Sequence, residues 1–471
     1  MAKDNNNNTA FRWRGQTAFV VISAGATLSL KDFLTFPVMT GENGGGAFLL
    51  VYAFFLLILG LPLLMSEFML GRMTRSNIVD ALGQLASEHN ASIYWKLVGI
   101  IALLAGFMIL SSYSVVSGWS LAYFFKTGLG VYNGATADGV NALFRNFQAD
   151  SEAMMLWHTL FVILIIAIGA QDLKQGLEKI FMVLVPAMAL LLVIGLFYAI
   201  YSNGMVESVE YLLYMDFSRV DATMPLLALQ RAFFTLALGL GVMLIYGAYV
   251  DDDVPIGYAA GQIIVIDLLF SIFTGLAINA LVFSVDMQPV LDDELAFRVL
   301  PVLFGSFDFG TVFGALFYLL LALAAITTAV ALLEAILTCY MLKFRQTRLR
   351  AAIQLGVAVW LLGLGTIFSY SLWNDSGFTM TLYFGDEAYR VVNEAGFHDT
   401  IIFISSQLIQ PLVAFFIAIF VGWVLPRSAT FEALNLPNRK LYEVWNFVIR
   451  YIVPVLVFIV LLSTLGILKT E

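Results

Sequence analysis

The sequence predicts an all-α polytopic membrane protein: two five-helix halves of inverted topology and an eleventh helix, with helices one and six interrupted near mid-membrane. Three observations predict it. Hydrophobic residues make up 61% of the 471-residue chain and charged residues only 12%, against roughly 25% charged in soluble domains. About eleven apolar runs reach bilayer length, for which roughly 20 residues suffice. The runs that open the two halves each carry an anomaly at matching depth: Ser29-Leu30-Lys31-Asp32 in the first, Leu236-Ala237-Leu238-Gly239-Leu240-Gly241 in the second. Interrupted helices at matching places in inverted halves point to a transporter's midplane site.

The runs fall near 17–39, 46–70, 95–125, 154–170, 178–201, 224–250, 257–284, 309–342, 350–373, 400–425 and 444–468. They divide the chain into a polar cytoplasmic tail (1–14), a first repeat (15–201), an extracellular loop (202–223), a second repeat (224–426), and a cytoplasmic loop with the eleventh helix (427–471). The Asn5–Asn8 run reads as a disordered tail, and no cleavable signal peptide is expected ahead of the first span. If the spans alternate, Arg12, Arg14, Arg72, Arg75, Lys174, Lys179, Lys343, Arg345, Arg348, Arg350, Arg427, Arg439 and Lys440 all fall on one side. Basic short loops mark the cytoplasm. The amino terminus is therefore expected inside and the carboxyl terminus outside, in a plasma (inner) membrane.

Composition also excludes. The net charge of -9 is spread over short loops and gives no nucleic-acid signature. The single cysteine, Cys339, allows no internal disulfide, and His89, His158 and His398 are too scattered to hold a metal. No Ser/His/Asp set lies within the spans, so an enzyme is not expected. Lys31 and Asp32 demand a reason. A Lys or Asp at the centre of a spanning helix costs about 2.5–3.5 kcal/mol on insertion scales. A helix serving only as an anchor gains nothing from that cost. Both charges are expected to face protein or a wet cavity.

Specific motifs then narrow the class. Phe33-Leu34-Thr35-Phe36-Pro37 followed by Gly41-Glu42-Asn43-Gly44-Gly45-Gly46-Ala47-Phe48 closely resembles the signature of the neurotransmitter:sodium symporter family. Gly60-Leu61-Pro62 with Glu67 and Gly71-Arg72 resembles that family's second helix. Phe233-Phe234-Thr235-Leu236 with Gly239 and Gly241 resembles its sixth, and Phe420-Val421-Gly422-Trp423-Val424-Leu425 its tenth. The resemblance runs from about Trp13 through the last span. It implies a LeuT-type fold, and the count of eleven helices is similar to many prokaryotic members.

What the resemblance implies about the site is taken position by position. The family's second sodium site maps to backbone oxygens of Gly25, Leu28 and Ala324 and to the hydroxyls of Thr327 and Thr328. Neutral oxygens suit a hard cation; without the match, two threonines bonding back to the previous helical turn is the plainer reading. The substrate pocket maps to Ala26, Thr27, Leu30, Lys31, Ile109, Tyr113, Phe234, Thr235, Ala237, Leu240, Thr328 and Leu332. Tyr113 matches the tyrosine that bonds the substrate carboxylate, and Ile109, Phe234, Leu240 and Leu332 give an apolar slot. Ser29 stands where monoamine carriers have an aspartate, which argues against a biogenic amine. Glu67 is expected to brace the unwound part of helix six.

The first sodium site does not carry over. Asp32 and Ile266 stand where the family supplies two asparagines, and Lys31 replaces a glycine. The expectation is that the Lys31 ammonium substitutes for the missing ion, paired with Asp32 and an anionic group of the substrate. Two alternatives stay open: Lys31 and Asp32 as a merely structural pair, or a titrating Lys31 that admits proton coupling. Asp267, next to Ile266, becomes a ligand if the alignment slips by one residue. Phe270 occupies the chloride or acidic position, so chloride is not expected. The outer-gate pair is Thr35 and Ile402, with neither charge present. Arg231, at a glutamine position, is expected to bring a cation to the outer vestibule. Helix one lacks its usual flanking glycines, so its break is expected to be short. The function these residues imply is sodium-coupled symport of a small amino acid or amino-acid-like solute by alternating access. Proton-coupled or sodium-independent exchange and a non-transporting sensor are the alternatives. The partners are the solute and lipid, and a functional monomer is expected.

Overall fold

In the computed structural model, residues 11–221, 223–285, 289, 295–373, 377–384 and 387–468 are described. Most of the tail, including Asn5–Asn8, lies outside the described residues. Among those described, nine helices are long and apolar enough to cross a bilayer: Gly46–Thr74, Ile93–Gly128, Ser151–Gly169, Gly176–Ile200, Ile256–Phe283, Gly310–Phe344, Arg348–Tyr370, Phe397–Val424 and Arg439–Thr464. The two remaining expected spans are the broken ones. The first runs as Gln16–Thr27, Leu30–Leu34 and Phe36–Glu42. The sixth runs as Thr223–Phe234 and Val242–Ala248. Outside the spans, Phe378–Phe384 and Glu387–Ala395 pair as an antiparallel ribbon in the loop before the tenth. Short amphipathic helices such as Ile78–Glu88 and Ala137–Ala149 lie in other loops.

Small residues set how closely the spans approach. A Cβ on Gly71 would lie 1.8 Å from Leu244 O, and one on Gly247 2.4 Å from Phe68 O. The second span and the second helix of the sixth, Val242–Ala248, are thus in backbone contact, as membrane helices permit where both faces are small. The third and eighth spans run side by side, and the first lies against the seventh, fifth and eighth.

The loops sort onto two faces. Arg12 reaches Asp251 at 3.3 Å and Asp252 at 3.4 Å. Arg75 bonds Asp252 and Val250 O, Arg72 donates to Val254 O at 2.7 Å, and Arg348 Nε donates to Gln171 O at 2.6 Å. All these basic groups lie in segments assigned to one side by the charge rule. At the other end, Gly134 N donates to Gly305 O at 3.0 Å and Gly46 N to Tyr214 O at 2.9 Å.

Candidate functional site

The first break is made by a carboxylate. The opening helix ends at Thr27, Leu28 turns extended (φ -69, ψ 90), and Ser29 starts the next helix from an extended conformation (φ -100, ψ 165). Asp32, three residues on, accepts hydrogen bonds on Oδ2 from Ser29 N and Ser29 Oγ, both at 2.7 Å. Ser-x-x-Asp here acts as a helix start signal inside an apolar span. No glycine is needed, and the break spans only Leu28 and Ser29, short as expected.

The other oxygen of Asp32 overturns one expectation. Oδ1 pairs with the Arg231 guanidinium and accepts from Thr235 Oγ1 at 3.0 Å. Lys31 is exposed, and its ammonium has no hydrogen bond or ion pair among the described residues, only its backbone oxygen accepting from Thr35. It does not pair with Asp32, because adjacent residues of a helix point about 100° apart and cannot face each other. Nor does Arg231 stand in an open vestibule: it is 6% exposed, with its guanidinium 5.3 Å from the centre of the Phe36 ring. Thr235 Oγ1 also lies 3.0 Å from Asp267 Oδ2. Asp267, held open as a slipped ligand, is thus the second carboxylate of this buried cluster.

The second break runs from Thr235 to Gly241. Ala237 (φ 50), Gly239 and Gly241 (both φ 77) take left-handed conformations that stop the helix. Its freed backbone groups find side chains. Glu67 Oε1 accepts from Gly239 N at 2.7 Å, and Gln410 Nε2 donates to Leu238 O at 2.9 Å. A Cβ at position 239 would meet Gln410 O at 2.6 Å. Glu67 sits where the expected brace would be. Gln410 was not singled out from sequence: an isolated glutamine carries no spacing signal.

Of the five residues expected to hold a sodium ion, the structure joins Leu28 and Thr328 across two spans, while Thr327 bonds back to its own helix. Thr328 Oγ1 donates to Leu28 O at 3.0 Å across 300 residues of sequence, and Thr327 Oγ1 donates to Ala324 O at 2.9 Å. Gly25 packs so closely on the fifth span that a Cβ would meet Val185 at 2.5 Å. The donors are two hydroxyls and backbone carbonyls, a neutral set suited to Na⁺. Beside them, Leu30 N points at Tyr113 OH, 3.4 Å away. Of the pocket residues, Ile109, Tyr113, Phe234 and Ala237 are half-buried and Lys31 exposed; Ala26, Thr27, Leu30, Thr235, Leu240, Thr328 and Leu332 are buried. Among the described residues, no group of three or more His, Cys, Asp or Glu is placed to hold a metal.

Long apolar spans around two interrupted ones, with oxygens and exposed backbone gathered at the breaks, define a membrane transporter of the LeuT type. The chain matches the family model described as the Sodium:neurotransmitter symporter family over residues 11–130 and 145–469, and it belongs to that family. It is 31% identical over 97% of its length to 98% of an uncharacterized sodium-dependent transporter, YhdH, of Bacillus subtilis. It is 27% identical over 98% of its length to 99% of another uncharacterized sodium-dependent transporter, from Haemophilus influenzae. The crystal structure of MhsT in complex with L-phenylalanine matches with a TM-score of 0.83 at 34% identity, covering 97% of this chain and 100% of that one. The family is one of transporters, not enzymes, and the chain is a multi-pass membrane protein whose class of activity is sodium-coupled symport.

Proposed function

We propose that this protein takes up a small amino acid or amino-acid-like solute by alternating access, driven by Na⁺ bound among Gly25, Leu28, Ala324, Thr327 and Thr328. One observation carries the reading: Thr328 of the eighth span is bonded to Leu28 at the break of the first. An ion held there would tie a rigid span to a broken one. The solute would lie between Tyr113, the break at Thr235–Ala237, and the apolar walls of Ile109, Phe234, Leu240 and Leu332. Lys31, exposed and with its ammonium unpaired among the described residues, would meet its carboxylate. A carboxylate to pair with the amine of a biogenic amine is lacking at Ser29, which favours a zwitterion with an apolar or small side chain. The basic face would be cytoplasmic. The test is uptake into proteoliposomes with Na⁺ replaced by choline; uptake that persists undiminished would sink the sodium-coupled reading.

Proton-linked transport has one observation in its favour. Thr235 Oγ1 has a single hydrogen yet lies 3.0 Å from oxygens of both Asp32 and Asp267. It can donate to only one of them. A proton on Asp267 donating to Thr235, which in turn donates to Asp32, would satisfy all three. Repeating the choline exchange at several pH values separates this reading: proton-driven uptake would follow an imposed pH gradient in the absence of Na⁺.

A further inference from the structure

We infer that the buried Arg231–Asp32 ion pair takes the place of the first of two sodium ions, so that this protein binds and moves one Na⁺ per cycle. The inference rests on the sodium-coupled reading above and concerns its stoichiometry. Asp32 has no acceptor capacity to spare. Its Oδ2 takes Ser29 N and Ser29 Oγ, and its Oδ1 takes Arg231 and Thr235. A carboxylate offers about four lone-pair sites, and all four are used.

The positive charge that a bound ion would bring is already supplied. The guanidinium is planar, permanently charged and less strongly hydrated than an ammonium, which suits it to a buried pair. It is held between Asp32 and the face of Phe36, nearly out of solvent. A mobile cation beside Asp32 would meet a fixed like charge in a medium that screens poorly. On the seventh span the residue that reaches the cluster is Asp267, with Oδ2 3.0 Å from Thr235 Oγ1, and not Ile266, which offers no ligating atom. The second site, built from neutral oxygens around Thr327 and Thr328, is untouched by these changes and keeps its need for an ion. The substitution is thus local: a fixed cation on the sixth span in one place, a diffusible one in the other. Asp267, the other carboxylate of the cluster, has no ion pair among the described residues; with a proton donated to Thr235 Oγ1, which then donates to Asp32, it is neutral and the cluster needs no second cation.

Equilibrium binding of ²²Na⁺ to the purified full-length protein in lipid nanodiscs decides the matter. The wild-type protein should saturate at one Na⁺ per chain, without cooperativity. Arg231→Gln leaves Asp32 unpaired and should add a second, cooperative Na⁺. If that variant does not fold, the Asp32→Asn/Arg231→Gln double variant removes both charges and should also bind a second ion. Saturation of the wild type at two Na⁺ would overturn the inference and leave sodium coupling standing. A folded Arg231→Gln that remains at one ion would overturn it too. Absence of saturable Na⁺ binding in the wild type would bring down the sodium-coupled reading itself, and the inference with it.

Discussion

Asp32 shows how much one side chain can decide. One oxygen starts a helix through Ser29, and the other holds Arg231 and Thr235, so the carboxylate links the first span to the sixth. Removing one partner of a buried pair leaves an uncompensated charge and costs about 3–5 kcal/mol, while replacing both is far milder. Asp32→Asn should therefore lower thermal stability sharply, and Asp32→Asn/Arg231→Gln should recover most of the loss, as read by thermal unfolding in detergent. Equal losses in the two variants would mean that the pair contributes nothing as a pair. Thr328 makes the complementary case. Thr328→Ala removes both a proposed sodium ligand and the bond to Leu28 O, so Na⁺ affinity should fall by at least about tenfold, the equivalent of roughly 1.4 kcal/mol, with folding retained. Unchanged ²²Na⁺ affinity would remove Thr328 from the ligand set.

At the scale of the element, the broken spans were legible because their anomalies are local in sequence: a charged pair in an apolar run, and glycines at 239 and 241. The partners that hold the breaks were legible only in part. Glu67 stood in a family motif, but Gln410 lies 172 residues from Leu238, the carbonyl to which it donates, and nothing short-range marks it. The Asp32–Arg231 pair was missed for a related reason. Both residues stood out, but proximity in sequence favoured Lys31, and helix geometry forbids that neighbour. The last turns of the eighth span hold another buried pair between spans, only 14 residues apart in sequence. Glu334, 1% exposed, takes Arg348 on both oxygens, with Thr338 Oγ1 at 3.0 Å and Tyr249 OH at 3.3 Å. Tyr249 caps the second helix of the sixth span, so this cluster fastens the broken span to the eighth and ninth. Arg348→Ala should destabilise the protein by about 3–5 kcal/mol, visible as a lowered unfolding temperature; a shift no larger than that of an exposed control such as Arg345→Ala would refute it.

Across the whole molecule, the basic face is closed by the chain's own amino-terminal segment. Trp13 N donates to Tyr249 O at 3.0 Å, Trp13 Nε1 to Tyr246 O at 3.0 Å, and Arg12 joins Arg75 around Asp252. Burial alone would raise the Asp252 carboxyl, but Arg75 and Arg12 outweigh it and hold the pKa below the ordinary carboxylate value. A depressed carboxyl pKa contributes to closure above the ordinary value near 3.9, and that contribution is lost as pH falls through the lowered one. The closure should thus not change between about pH 8 and 5. Asp252 is largely exposed, and such pairs contribute at most about 1 kcal/mol. The buried indole and the Arg75 bonds to Val250 O and Ala248 O should carry more. Ser23→Cys in a Cys339→Ala background places a thiol on the first helix of the first span, where Ser23 is fully buried. Labelling from the basic face should rise several-fold with Trp13→Ala, rise less with Asp252→Asn, and stay flat across that pH range. If Asp252→Asn opened the path as far as Trp13→Ala, the ion pair rather than the packed amino-terminal segment would be the gate.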